Sequence, residues 1–223
     1  MITLRRVVDR LRSAYGDPVP PPATDPFGIV LYENIAYLAL EERRASAFRE
    51  LQRRIGVTPH AIARASSTAL RAVAATGGVY PDLRASRMRE AARIVIEDFG
   101  GDIVGILNEP AGPRRRMLKK FPAIGDPGVD KILLFSRTEP VLALESNGLR
   151  ALLRLGFGTE SKNYATSYKS VQRALGTFHA RDFDLLIDAH NLLARHGREI
   201  CKRTEPLCDL CVLQKSCAYY QRM

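Results

Sequence analysis

An all-α protein is what this sequence predicts, on three observations. Apolar residues recur at three-to-four spacing over most of the chain, Gly and Pro punctuate those stretches at helix-length intervals, and no stretch alternates for long with period two. The first element is a short basic helix over residues 4–15. It runs into Asp17-Pro18-Val19-Pro20-Pro21-Pro22, whose prolines suit neither helix nor central strand and so form a linker. From Pro26 onward, Leu31, Ile35 and Leu38, then Phe48, Leu51 and Ile55, and later Leu83, Met88, Ala91, Val95 and Phe99 mark apolar helix faces. Gly56, Gly77-Gly78, Gly100-Gly101 and Gly112-Pro113 separate these stretches into helices of about 10 to 18 residues.

The densest basic cluster, Arg114-Arg115-Arg116-Met117-Leu118-Lys119-Lys120, leads directly into Phe121-Pro122-Ala123-Ile124-Gly125-Asp126-Pro127. Asp126 reads as an N-cap and Pro127 as the first helical residue, so a new helix starts at about residue 127. Two helices joined by a tight turn carrying Gly125 can bring backbone N–H groups and a positive helix end close to a phosphate. The same turn is equally an ordinary helix connection, and a basic run is by itself a solvated helix face.

The 223 residues are 46% hydrophobic and 26% charged, enough to bury one substantial core or two small ones. Lys and Arg outnumber Asp and Glu by 34 to 24, for a net charge of +10 and a pI near 9.8. Such a balance favours a polyanionic partner, either nucleic acid or an anionic membrane surface. No run of 18 apolar residues is present, and the N-terminus lacks an apolar segment followed by a small-residue cleavage site. A cytoplasmic protein among nucleic acids is therefore expected.

All four cysteines fall near the C-terminus, as Cys201, Cys208, Cys211 and Cys217. A disulfide framework would be spread over the fold, whereas a metal site gathers its ligands. The x6, x2, x5 spacing suits four thiolates in one compact loop, able to ligate either Zn2+ or an iron-sulfur cluster.

Together the hairpin and the cysteine run resemble the endonuclease III family of helix-hairpin-helix DNA glycosylases, in the same order over roughly residues 26–220. The segment Ile187-Asp188-Ala189-His190-Asn191 through Arg195-His196-Gly197-Arg198-Glu199-Ile200-Cys201 is similar to the family's helix leading into its first cluster ligand. Phe121-Pro122-Ala123-Ile124-Gly125 resembles the family's Leu-Pro-Gly-Val-Gly hairpin, with Ala123 in place of the first glycine. Thr76-Gly77-Gly78-Val79-Tyr80 falls where the family has a Gly-containing turn before a long helix. The resemblance implies two helical lobes: a six-helix barrel at residues 28–139, and an iron-sulfur lobe from residues 1–27 and 140–223. It also implies a [4Fe-4S] cluster on the four cysteines, a monomer acting on double-stranded DNA with a damaged, mispaired or abasic nucleotide, and a flipped-out target. Lys119, Lys120, Ala123, Gly125 and Lys131 are the residues it places on DNA.

Two positions depart from the family pattern. Bifunctional members carry a lysine nucleophile two residues after the hairpin glycine, and here that position is Pro127, so the implied activity is monofunctional base excision. A non-catalytic DNA-binding homologue, or a lyase with Lys131 as a relocated amine, are the alternatives. The family's catalytic aspartate, at the start of the helix after the barrel, corresponds to Glu145, one methylene longer. A shift of about 1 Å costs on the order of 100-fold in rate, so the pocket has to accommodate it. Glu33 matches a glutamate that protonates the leaving base in adenine glycosylases of the superfamily, and Tyr37 a position near the flipped base. Both glutamates have structural readings as well: Glu145 as a helix-start carboxylate, and Glu33 as a paired or solvated helix residue.

Overall fold

The structure is a computed structural model that describes residues 2–36 and 39–222; Tyr37 and Leu38, both singled out in the sequence, lie outside the described residues. The regular structure of the described residues is helical, with no strand among them, and no described helix is long and apolar enough to cross a membrane. They divide into two compact units, one of residues 21–138 and one of residues 1–20 with 139–223.

The 21–138 unit holds α2 (Pro26–Ile35), α3 (Glu41–Arg54), α4 (Pro59–Arg64), α5 (Ser67–Thr76), α6 (Pro81–Asp98), α7 (Val104–Leu107), α8 (Ala111–Leu118) and α9 (Asp126–Phe135). Six of these have eight residues or more. Helix α2 is its centre. Asp25 caps it by accepting from the Gly28 amide, Pro26 takes the first turn, and Phe27, Ile29, Val30, Leu31, Tyr32 and Ile35 are all buried. A helix apolar on every side must be surrounded, and α3, α6 and α9 pack against α2. From α6, the buried Arg84 donates to the Ile35 and Gly78 carbonyls and so ties the end of α2 to the turn at Gly77-Gly78.

Gly112-Pro113 does not separate helices, because it lies within the first turn of α8. The amide that Pro113 lacks has no intrahelical acceptor at that position, so the proline is tolerated. The start of α9 also shifts by one residue from the expected cap. Gly125 is the N-cap and Asp126 the first helical residue, with its carboxylate paired to Lys119 across the turn.

The other unit holds α1 (Leu4–Tyr15), α10 (Ser146–Leu155), α11 (Tyr164–Leu175) and α12 (Phe183–Glu199), then short 3-10 turns through the cysteine segment. Helix α1 spans the residues expected and buries Leu4, Val7, Val8 and Leu11, one stripe at helical spacing, against α12. Helices α10 and α12 pack so closely that a Cβ on Gly197 would lie 2.4 Å from the Asn147 carbonyl oxygen. Only glycine permits that approach.

Candidate functional site

The hairpin is built from its anchors outward. Phe121 and Ile124 are buried, with the Phe121 ring 6.3 Å from that of Phe99, while Ala123 between them and Gly125 just beyond are exposed. The turn closes through the Ile124 amide to the Phe121 carbonyl at 3.2 Å. Helix geometry leaves the first amides of α9 without intrahelical acceptors, so this corner presents N–H groups to solvent. Ala123 adopts φ 62°, the left-handed conformation that a glycine takes without cost.

Three long-range contacts hold the hairpin. Arg115 of α8 donates to the buried Asp130 of α9 at 2.7 Å, fixing one helix on the other. Asn34 of α2, itself buried, donates through Nδ2 to the Pro122 carbonyl at 2.8 Å. Lys120 reaches Asp98 at 3.1 Å and sits over the Phe99 ring. Lys119 and Lys120 are both about half exposed, in surface pairs that a phosphate can displace at a cost of about 0–1 kcal/mol each.

Lys131 points inward. Its side chain is 12% exposed, its Nζ donates to Glu33 Oε1 at 2.9 Å, and it lies over the Tyr32 ring. Arg44 stands 3.9 Å from the other Glu33 oxygen. Glu33 therefore serves here as an acceptor between two cations.

Glu145 is the N-cap of α10, its Oε1 accepting from the Gly148 amide and its Oε2 from Asn147 Nδ2, both at 2.8 Å. Asn147 in turn accepts from Arg150 at 2.8 Å, and Arg150 donates to the carbonyls of Gly197 and Cys201. The segment leading to Glu145 is not helical, yet Leu142, Ala143 and Leu144 are buried. Buried backbone must find partners. Gln172 donates to the Leu142 carbonyl at 2.6 Å, His190 Nδ1 to that of Ala143 at 2.8 Å, and the Tyr164 hydroxyl to that of Leu144 at 3.1 Å. Three consecutive carbonyls held by three side chains leave the Glu145 carboxylate little freedom.

All four cysteines line one shared cavity, with Arg154 and walls from Ile200, Leu207 and Tyr220. Arg154 Nη1 lies 3.4 Å from Cys201 Sγ and donates to the Lys202 carbonyl, while its second nitrogen donates to that of Arg203. Among the described residues no three His, Cys, Asp or Glu side chains converge on a single point. Four thiols around a shared space suit a polynuclear group whose own bulk fills the cavity, with a guanidinium to offset thiolate charge.

Sequence reasoning assigned no role to His196, Tyr15, Asn147, Arg150 or Arg154. His196 is buried in α12, five residues before Cys201; its Nε2 lies 3.6 Å from Cys211 Sγ and its Nδ1 2.7 Å from the Tyr15 hydroxyl. Burial pushes the Tyr15 hydroxyl up to about 12, so it keeps its proton. The helical stripe that docks α1 carries Tyr15 with it, but nothing local marks its destination.

No family model matches the chain. It is 26% identical to an endonuclease III of Thermotoga maritima over 199 residues, 89% of this chain and 85% of that protein. It is 27% identical to a thymine-DNA glycosylase of Aeropyrum pernix over 219 residues, 97% of this chain and 93% of that one. A non-covalent endonuclease III–DNA complex superposes with a TM-score of 0.76 at 18% identity, covering 100% of this chain and 98% of the other. The fold is that of an endonuclease III-like helix-hairpin-helix protein. In endonuclease III-like terms, α8 and α9 are the hairpin pair, Glu145 opens the helix after the 21–138 unit, and the cysteine run closes the chain.

Proposed function

We propose that this chain is a base-excision DNA glycosylase, acting on a damaged or mispaired base in double-stranded DNA and monofunctional. The observation that carries the monofunctional reading is Pro127 in the first turn of α9: the residue two places beyond the hairpin glycine has no amine to attack a sugar. In this reading Glu145, fixed by the Gly148 amide and Asn147, stabilises the oxocarbenium-like sugar or orients water. Glu33 serves as the acid for the leaving base. Lys119 and Lys120, with the backbone at Ala123 and Gly125, meet phosphates, whereas Lys131, which the resemblance also places on DNA, is turned inward to Glu33.

The four cysteines hold a [4Fe-4S] cluster that braces the C-terminal segment; their common cavity supports this. Anaerobically purified protein is then brown with about four irons per chain. A colourless protein with one zinc would overturn that assignment.

A single-turnover assay on duplexes carrying uracil, thymine mismatches, oxidised pyrimidines, adenine opposite oxidised guanine, alkylated purines or abasic sites tests the activity, read with and without alkali. Strand breakage only after alkali, lost in Glu145→Gln, supports the monofunctional enzyme. Silence on every duplex with binding intact would leave a non-catalytic DNA-binding protein. One observation favours a second reading: Lys131 is an inward amine, its side chain 12% exposed, and desolvation of that kind is what activates a lysine as a relocated lyase nucleophile. A borohydride-trapped adduct lost in Lys131→Ala would establish it.

A further inference from the structure

We propose that His196 and Tyr15 form a hydrogen-bond relay onto the cysteine site, in which the Tyr15 hydroxyl donates to His196 Nδ1 and His196 Nε2 donates to Cys211 Sγ, raising the reduction potential of the cluster. The inference rests on the four cysteines being [4Fe-4S] ligands.

The donor directions follow from chemistry. A metal-bound thiolate has no proton to give, so across the 3.6 Å contact Cys211 Sγ accepts and His196 Nε2 must carry the proton. In a neutral ring Nδ1 is then an acceptor, and the group 2.7 Å away is a hydroxyl able to donate. One tautomer satisfies both contacts. Its partners are held in place: the His196 ring is buried in α12, and Tyr15 is the last residue of α1. Arg195 covers the Tyr15 ring at 4.7 Å from its centroid and donates to the Tyr15 carbonyl at 3.2 Å.

A donor to a ligating sulfur withdraws electron density and favours the reduced, more negative cluster. The relay also makes a cysteine near the C-terminus depend on a helix at the N-terminus, so the site senses how α1 is seated. This separates His196 from Arg154, whose contact to Cys201 Sγ comes from α10 and needs nothing from α1.

The test measures the reduction potential and the rate of bleaching in air of anaerobically purified, iron-loaded protein and three variants. His196→Phe keeps a ring without an N–H and is expected to shift the potential negative and bleach several-fold faster. His196→Gln retains an amide donor and is expected to recover much of the potential. Tyr15→Phe removes only the lock on the tautomer and is expected to shift the potential in the same direction by less. Full iron loading in His196→Phe with the parent potential, or Gln behaving as Phe, overturns the relay. If His196→Phe does not load iron, an unchanged potential in Tyr15→Phe overturns it instead. A parent protein that is colourless and zinc-bound defeats the cofactor reading, an outcome distinct from a brown protein with an insensitive potential.

Discussion

At Ala123 the backbone takes φ 62°, where a Cβ costs roughly 1–2 kcal/mol relative to glycine. The residue is exposed and its neighbours Phe121 and Ile124 anchor the turn, so the strain is borne locally without repacking the core. Ala123→Gly is expected to raise stability by about 1 kcal/mol, a Tm increase of about 2–4 °C by calorimetry for a chain of this size. A lower Tm would show that the freedom glycine adds to the unfolded chain outweighs the relief. Glu145 poses the opposite case, a side chain whose two oxygens are both engaged. Glu145→Gln keeps the length and removes the charge. Base release is expected to fall by about 100-fold or more in single turnover, with stability changed by no more than about 1 kcal/mol because an amide oxygen still caps the helix.

For elements, a polar contact between the partly buried Arg115 and the buried Asp130 joins α8 to α9. Asp130→Asn leaves Arg115 facing a neutral partner and is expected to cost about 2 kcal/mol in urea unfolding, since hydrogen bonds to charged groups contribute about 1.5–3 kcal/mol. The outer face of the same hairpin acts through charge alone. Replacing Lys119 and Lys120 together by Ala is expected to weaken DNA binding equally across sequences and to flatten the slope of log K against log salt by about 2. An unchanged slope would remove both lysines from the phosphate contacts. Packing of α10 on α12 sets a different limit, because a methyl at Gly197 meets the Asn147 backbone. Gly197→Ala is expected to lower Tm and, by moving Asn147, base release as well.

Over the whole molecule, 34 basic residues exceed 24 acidic ones by 10, so affinity for any duplex is expected to fall steeply with salt whatever the lesion. The C-terminal segment has little regular structure of its own, only short 3-10 turns about the cysteine cavity. Under the [4Fe-4S] reading proposed for the cysteines, stripping iron with a chelator is expected to make residues 200–222 protease-sensitive ahead of the helices. Much of this organisation was legible in the sequence. The all-α class, the helix at residues 4–15, the proline linker, the hairpin position and the gathering of cysteines all rest on periodicity, caps and spacing, which act within a turn or two of chain. The N-cap falls on Gly125 and not on Asp126 because the helical backbone bonds begin one residue earlier, at the Gly125 carbonyl, which accepts from the Val129 amide. Tertiary structure alone decided that Lys131 turns inward to Glu33, 98 residues away, that three carbonyls before Glu145 are held by α11 and α12, and that Tyr15 meets His196 across 181 residues. Which way a polar side chain points is set by whatever distant surface the fold brings against it, and no local pattern encodes that surface.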